Sequence, residues 1–150
     1  MTRGAWTHGT AAVVGPGAIG GVLAASLRAA GAPVVLVGRN PRAAARFARR
    51  GLRVTGTDGR TRLVKGWLPF ASAPGPIAVL FLCVKSPQLA AALRSARKLA
   101  GRQTAVVSLL NGTDHAPALL RAFGAGRTVF GACYFAAMRL GPGTLRHWGG

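Results

Sequence analysis

An apolar run that breaks into Gly-x-Gly-x-x-Gly and then into a helix-forming pattern leaves few folds open, and residues 11–21, Ala-Ala-Val-Val-Gly-Pro-Gly-Ala-Ile-Gly-Gly, read that way. The order strand, tight glycine turn, helix start is that of a dinucleotide-binding β-α-β unit. Gly15 lets the chain turn off the strand, Gly17 keeps bare backbone where a pyrophosphate would lie, and Gly20 lets helix and strand pack closely. Pro16, Ala18 and Ile19 complete the loop, whose phosphates would rest on the free N–H groups of the helix's first turn. The chain has 22 glycines, so the pattern gains its weight from its flanks.

Those flanks agree. Ile19, Val22, Leu23, Ser26 and Leu27 recur at helical spacing, and Gly31 stops a helix expected over 18–30. Pro33 to Val37 is a continuous, mostly β-branched run, the pattern of a strand buried on both faces of a parallel sheet. It is followed by Gly38-Arg39-Asn40-Pro41, where the adenosine ribose of a dinucleotide would lie. A carboxylate there would bond the 2′-hydroxyl of NAD. Arg39, supported by Arg42, instead matches the 2′-phosphate of NADP.

Asn40-Pro41 opens a short basic helix through Arg50, stopped by Gly51. Leu52–Thr55 and Thr61–Trp67 flank Thr57-Asp58-Gly59 as a hairpin, which makes Asp58 a turn former. Ile77 to Val84 is the strongest apolar run and ends at Lys85. Ser86-Pro87 caps a helix marked by Leu89, Leu93, Ala96 and Leu99 and closed by Gly101. The strand Thr104–Leu110 delivers Asn111-Gly112 to the edge on which open α/β sheets hold ligands. A helix over Pro117–Phe123, a strand over Thr128–Tyr134, a Gly141-Pro142-Gly143 turn and a strand over Thr144–Trp148 complete the chain. The alternation predicts an α/β protein of Rossmann type, doubly wound, with a mostly parallel sheet and helices on both faces.

Composition sets the bounds. At 150 residues, with 50% hydrophobic residues and a mean hydropathy of +0.33, the chain suits one globular domain from residue 10. Residues 1–9, including His8, lack periodicity and read as a flexible extension. No run approaches the roughly 18 apolar residues that span a bilayer, and there is no leader-like apolar core near Met1, so a cytoplasmic location is expected. Cys83 and Cys133 have neither a C-x-x-C partner nor a histidine cluster; both read as small buried residues, and no metal is expected.

Twenty Lys+Arg against two Asp+Glu give a net charge of +18, and glutamate is absent. Such a field attracts polyanions, but the arginines are scattered and no nucleic-acid recognition motif accompanies them. Nucleic acid is therefore not the expected partner. Ser108, Asp114 and His115 do not make a hydrolase, since Ser108 lies within a strand and outside any Gly-x-Ser-x-Gly turn.

Taken together, Gly15-Pro16-Gly17-Ala18-Ile19-Gly20-Gly21, Arg39 after the second strand, Cys83-Val84-Lys85 and Leu110-Asn111-Gly112 resemble the ketopantoate reductase family. Gly131 to Ala137 and Pro142 to His147 are similar to that family's later strands. The resemblance runs over residues 10–150 and implies the NADPH-binding domain of a 2-dehydropantoate 2-reductase. That enzyme passes hydride from NADPH to the keto carbon of a small 2-oxo acid in pantothenate biosynthesis. It places Val84 and Lys85 beside the cofactor and gives Asn111 the catalytic-site role of positioning nicotinamide and substrate.

The family's catalytic lysine and a substrate-binding carboxylate belong to a helical C-terminal domain, and no residue among these 150 matches that lysine. The chain is accordingly expected to bind NADPH without turning over. Its last strand is expected to lack its hairpin partner, leaving an open edge. Other readings stand beside this one: a non-catalytic NADP-binding module, the same first domain in another β-hydroxy-acid-type dehydrogenase, a basic nucleic-acid-binding protein, or a site completed across a dimer.

Overall fold

The computed structural model describes residues 9–38, 41–67 and 76–149. Arg39 and Asn40, and all but Gly9 of the expected N-terminal extension, lie outside the described residues. The first strand, β1 (Thr10–Val14), is buried along its whole length and leads into α1 (Ala18–Ala29). Then follow β2 (Val34–Val37), α2 (Pro41–Arg50), β3 (Leu52–Thr55), β4 (Thr61–Val64) and β5 (Ile77–Leu82). The second half comprises α3 (Leu89–Leu99), β6 (Ala105–Ser108), α4 (Ala116–Phe123), β7 (Thr128–Phe130), β8 (Ala136–Gly141) and β9 (Thr144–Trp148).

Five strands form a wholly parallel sheet in the order β2-β1-β5-β6-β7. Alternation along β1 divides the core into two layers. Ala12 and Val14 face Ala92, Ala96 and Leu99 of α3 and Leu119 and Phe123 of α4. Ala11 and Val13 face Val22, Ala24 and Ala25 of α1. Helices thus cover both faces, as the continuous apolar strands require.

The second sheet, β4-β3-β9-β8, corrects the expectation of an open final edge. β9 pairs antiparallel with β8 and parallel with β3, so it lies inside its sheet. The expected strand Thr128–Tyr134 ends at Phe130, and the chain turns into β8, whose thin apolar pattern hides it in the sequence. The β3–β4 hairpin forms as its turn residues dictate: Gly59 takes φ +72°, and Asp58 accepts the Arg60 N–H at 3.1 Å and an Arg62 N–H at 2.6 Å. This sheet also packs on α1, where Gly21 meets Leu145. Leu145 of β9 and Leu52 of β3 join α1 and Phe47 in one buried cluster.

Candidate functional site

The strand order reverses between β1 and β5, since β1 connects onward to β2 on one side and β5 to β6 on the other. Ligands of open α/β sheets bind outside the carboxyl ends of the strands at such a reversal. A crevice of about 1880 Å³ opens there, well above the roughly 300–1,000 Å³ of an ordinary small-ligand pocket. It has the size for an extended two-ring cofactor.

The glycines build the crevice floor in different ways. Gly15 adopts φ +91°, which a side chain would resist, and its carbonyl accepts the Gly17 N–H at 2.7 Å to close the turn. A Cβ on Gly15 would lie 2.8 Å from the Cys83 carbonyl oxygen, and one on Gly20 would strike the Gly15 carbonyl and lie 2.8 Å from Cys83 Cβ. These two residues let α1 and the end of β5 touch. Gly17 has nothing within 4 Å of where its Cβ would be, facing the open crevice. It is also the N-cap of α1, with no side-chain cap and no acidic residue in the first turn. The first N–H groups of the helix are left for an anion.

Lys85 follows β5 in extended conformation, and its carbonyl accepts the Gln88 N–H of the 3-10 turn Ser86–Gln88 at 2.8 Å. That turn precedes α3; Ser86 provides no side-chain cap. Asn111 stands exposed just after buried Leu110, whose N–H is donated to Ser108 Oγ at 3.4 Å. Gly15, Pro16, Gly17, Ala18, Ile19, Val84, Lys85 and Asn111 all line the one crevice, and Gly20 supports it from behind. Arg42 is exposed on α2.

Among the described residues the lining contains no carboxylate. Its cations are Arg46, Lys85, Arg94, Arg97, Lys98 and Arg139, of which only Lys85 is legible as a site residue from motif position. Cys83 and Cys133 also line it, half-buried rather than buried; desolvation, then the neighbouring Cys133, pushes the Cys83 thiol up to about 12. Cys83 is thus a packing residue and stays protonated.

Ser108 is 1% exposed, and His115 is buried with its ring 5.7 Å from that of Phe130, so neither forms a surface nucleophile with its base. Among the described residues no group of three or more His, Cys, Asp or Glu could hold a metal, and no helix is long and apolar enough to cross a membrane.

Fold and crevice together define a Rossmann-type chain with an open crevice at the β1–β5 reversal. Residues 11–150 match the model of the family described as ketopantoate reductase PanE/ApbA. The chain belongs to that family, whose reaction is an oxidoreduction. It is 33% identical over 144 residues to the 2-dehydropantoate 2-reductase of Halobacterium salinarum, covering 92% of this chain and 46% of the relative. It is 36% identical over 107 residues to that of Mycobacterium tuberculosis, covering 69% of this chain and 33% of the relative.

Among solved structures, the 2-dehydropantoate 2-reductase of Geobacter metallireducens superposes with a TM-score of 0.77 at 28% identity, over 94% of this chain and 46% of the other. A D-mandelate dehydrogenase shares the fold, with a TM-score of 0.82 at 22% identity over 93% of this chain and 45% of the other. The chain spans about half the length, or less, of the curated relatives it matches.

Proposed function

We propose that residues 10–150 are the NADPH-binding domain of a 2-dehydropantoate 2-reductase, serving hydride transfer to the keto carbon of a small 2-oxo acid. The observation that carries this reading is the convergence, at one sheet reversal, of the Gly15 turn, the open space at Gly17, the uncapped start of α1, and Lys85 and Asn111. A dinucleotide bound there supplies the hydride; the chain's own residues bind and orient. The Gly17 backbone and the first N–H groups of α1 hold the pyrophosphate. Lys85 neutralises phosphate charge, and the Asn111 amide fixes the reacting carbonyl and the nicotinamide relative to each other. Family membership supports these roles, and a lining without carboxylates suits an anionic cofactor and an anionic substrate.

Preference for NADPH follows from Arg39, which the sequence sets directly after β2 in the place of a ribose-binding acid. Calorimetric titration of the chain is expected to show NADPH binding more tightly than NADH. Absence of binding, or equal affinity for the two, overturns the reading; DNA binding that survives saturation with NADPH would favour a basic nucleic-acid-binding protein.

The same 150 residues are expected to reduce 2-dehydropantoate negligibly, because a positioned proton donor contributes about 10² to 10⁴-fold and none of them matches the family lysine. Steady NADPH oxidation that is lost on changing Lys85 or Asn111 would show a complete site, built within the chain or across a dimer.

A further inference from the structure

A second, smaller cavity of about 320 Å³ opens beside the crevice, at the carboxyl ends of β6 and β7. The two spaces share Leu110, Asn111 and Cys133, so Asn111 stands at their junction. The size suits a small molecule and not a second nucleotide. His115 forms part of the cavity wall and is 5% exposed. Its ring meets that of Phe130, another wall residue, at 5.7 Å and a tilt of 54°, which holds the imidazole in place. Among the described residues nothing hydrogen-bonds this imidazole, and its nitrogens are not sealed within the core, so they give onto the cavity. Polar side chains buried to this degree normally have a partner.

The surroundings favour an anion as that partner. His115 is the N-cap of α4, with no side-chain cap and no acid in the first turn, so the positive end of the helix adjoins the cavity. Among the described residues His115 is also the one wall group that can carry positive charge, and no carboxylate stands in the wall; Asp114 is exposed outside it. Ser108 Oγ accepts the Leu110 N–H at 3.4 Å and keeps its own proton to donate.

We propose that His115 binds the carboxylate of the 2-oxo acid in this cavity and so selects acids over neutral ketones. The inference rests on the reductase reading above for the identity of the acid. In a 2-oxo acid the carboxylate is bonded directly to the keto carbon, so a carbonyl held at Asn111 sends the carboxylate into the adjoining space. A nitrogen–hydrogen donor there forms a charge-assisted hydrogen bond with it.

The test is calorimetric titration of the chain saturated with NADP⁺. The probes are 2-dehydropantoate, 3,3-dimethyl-2-oxobutanoate, which lacks the hydroxyl, and the methyl ester of the latter, which lacks the carboxylate. The wild type should bind both acids, and the ester about tenfold more weakly or worse. His115→Phe, which keeps a ring against Phe130, should weaken both acids about tenfold or more and leave the ester and NADP⁺ within about twofold. His115→Gln retains an N–H donor and should recover part of the loss, and thermal melts should show both variants folded like the wild type. Followed by NMR, the acids should shift the His115 ring signals and the ester should not. If His115→Phe binds the acids like the wild type, if the ester binds as well as they do, or if the wild type binds neither acid, the inference fails while NADP⁺ affinity keeps the reductase reading standing. If NADP⁺ itself does not bind, the reading beneath fails and carries this one with it.

Discussion

A methyl group added at Gly17 would touch nothing within 4 Å, whereas one at Gly15 or Gly20 would run into backbone at the end of β5 or in the loop itself. Residues that look equivalent in the motif therefore separate into a crevice-facing one and two structural ones. Gly17→Val is expected to leave the melting temperature unchanged and abolish NADPH binding. Gly15→Ala and Gly20→Ala should each lower stability by about 1–3 kcal/mol, through overpacking and, at Gly15, a left-handed backbone that resists a side chain. Denaturant unfolding and cofactor titration on the three variants check this; a Gly17→Val chain that binds NADPH normally would mean that the loop has been misread. Position alone made the loop, Lys85 and Asn111 legible as crevice-lining residues, because each ends an apolar run. Arg46 was not legible, since nothing in the sequence marks one arginine of a basic helix as half-buried, although its place beside the apolar Phe47 was a signal.

At the scale of elements, α1 is the layer shared by both sheets, and each of its paired glycines meets a different one. Gly20 packs against Cys83 of the parallel-sheet side, and a Cβ on Gly21 would come 2.5 Å from Leu145 Cδ1 of β9. Leu145 is 2% exposed, so Leu145→Ala should cost about 2–5 kcal/mol. Gly21→Ala should destabilise the wild type but do so less in the Leu145→Ala background, a coupling that a double-mutant cycle measures. Additive effects would mean that the second sheet does not rest on the helix at this point. The parallel sheet was readable because its strands are continuous apolar runs bounded by glycines. Of the second sheet, the β3–β4 hairpin and β9 were readable, but β8 and the joining of these strands into one sheet were not, because β8 exposes most of its residues and the β3–β9 pairing joins segments about ninety residues apart without any local trace.

Across the whole molecule, 20 basic side chains share two carboxylates, and the described ion pair is the exposed Arg62–Asp58 contact. Two other arginines turn to the backbone. Arg28 donates to the Ala32 carbonyl at 2.8 Å and to that of Lys65 at 3.4 Å, linking the end of α1 to the segment after β4. Arg127 ties the carbonyls of Phe123 and Gly101 at 3.1 and 2.5 Å, joining the ends of α4 and α3. Carbonyl oxygens do not titrate and guanidinium groups keep their proton, so these ties are blind to acid. Acid unfolding usually works by protonating paired carboxylates.

Among the described residues that route is reduced to Asp58, which the Arg60 N–H and then the Arg62 side chain hold below its ordinary value. Its contribution is present above the unfolded carboxylate pKa and fades as pH falls through the lower folded one. Between pH 5 and pH 3 the melting temperature should therefore stay nearly flat, and Asp58→Asn should remove most of the small slope that remains; a steep fall in both proteins would contradict this. Fastenings of this kind would also let the chain work as a scaffold in acid, where proteins stitched together by carboxylates come apart.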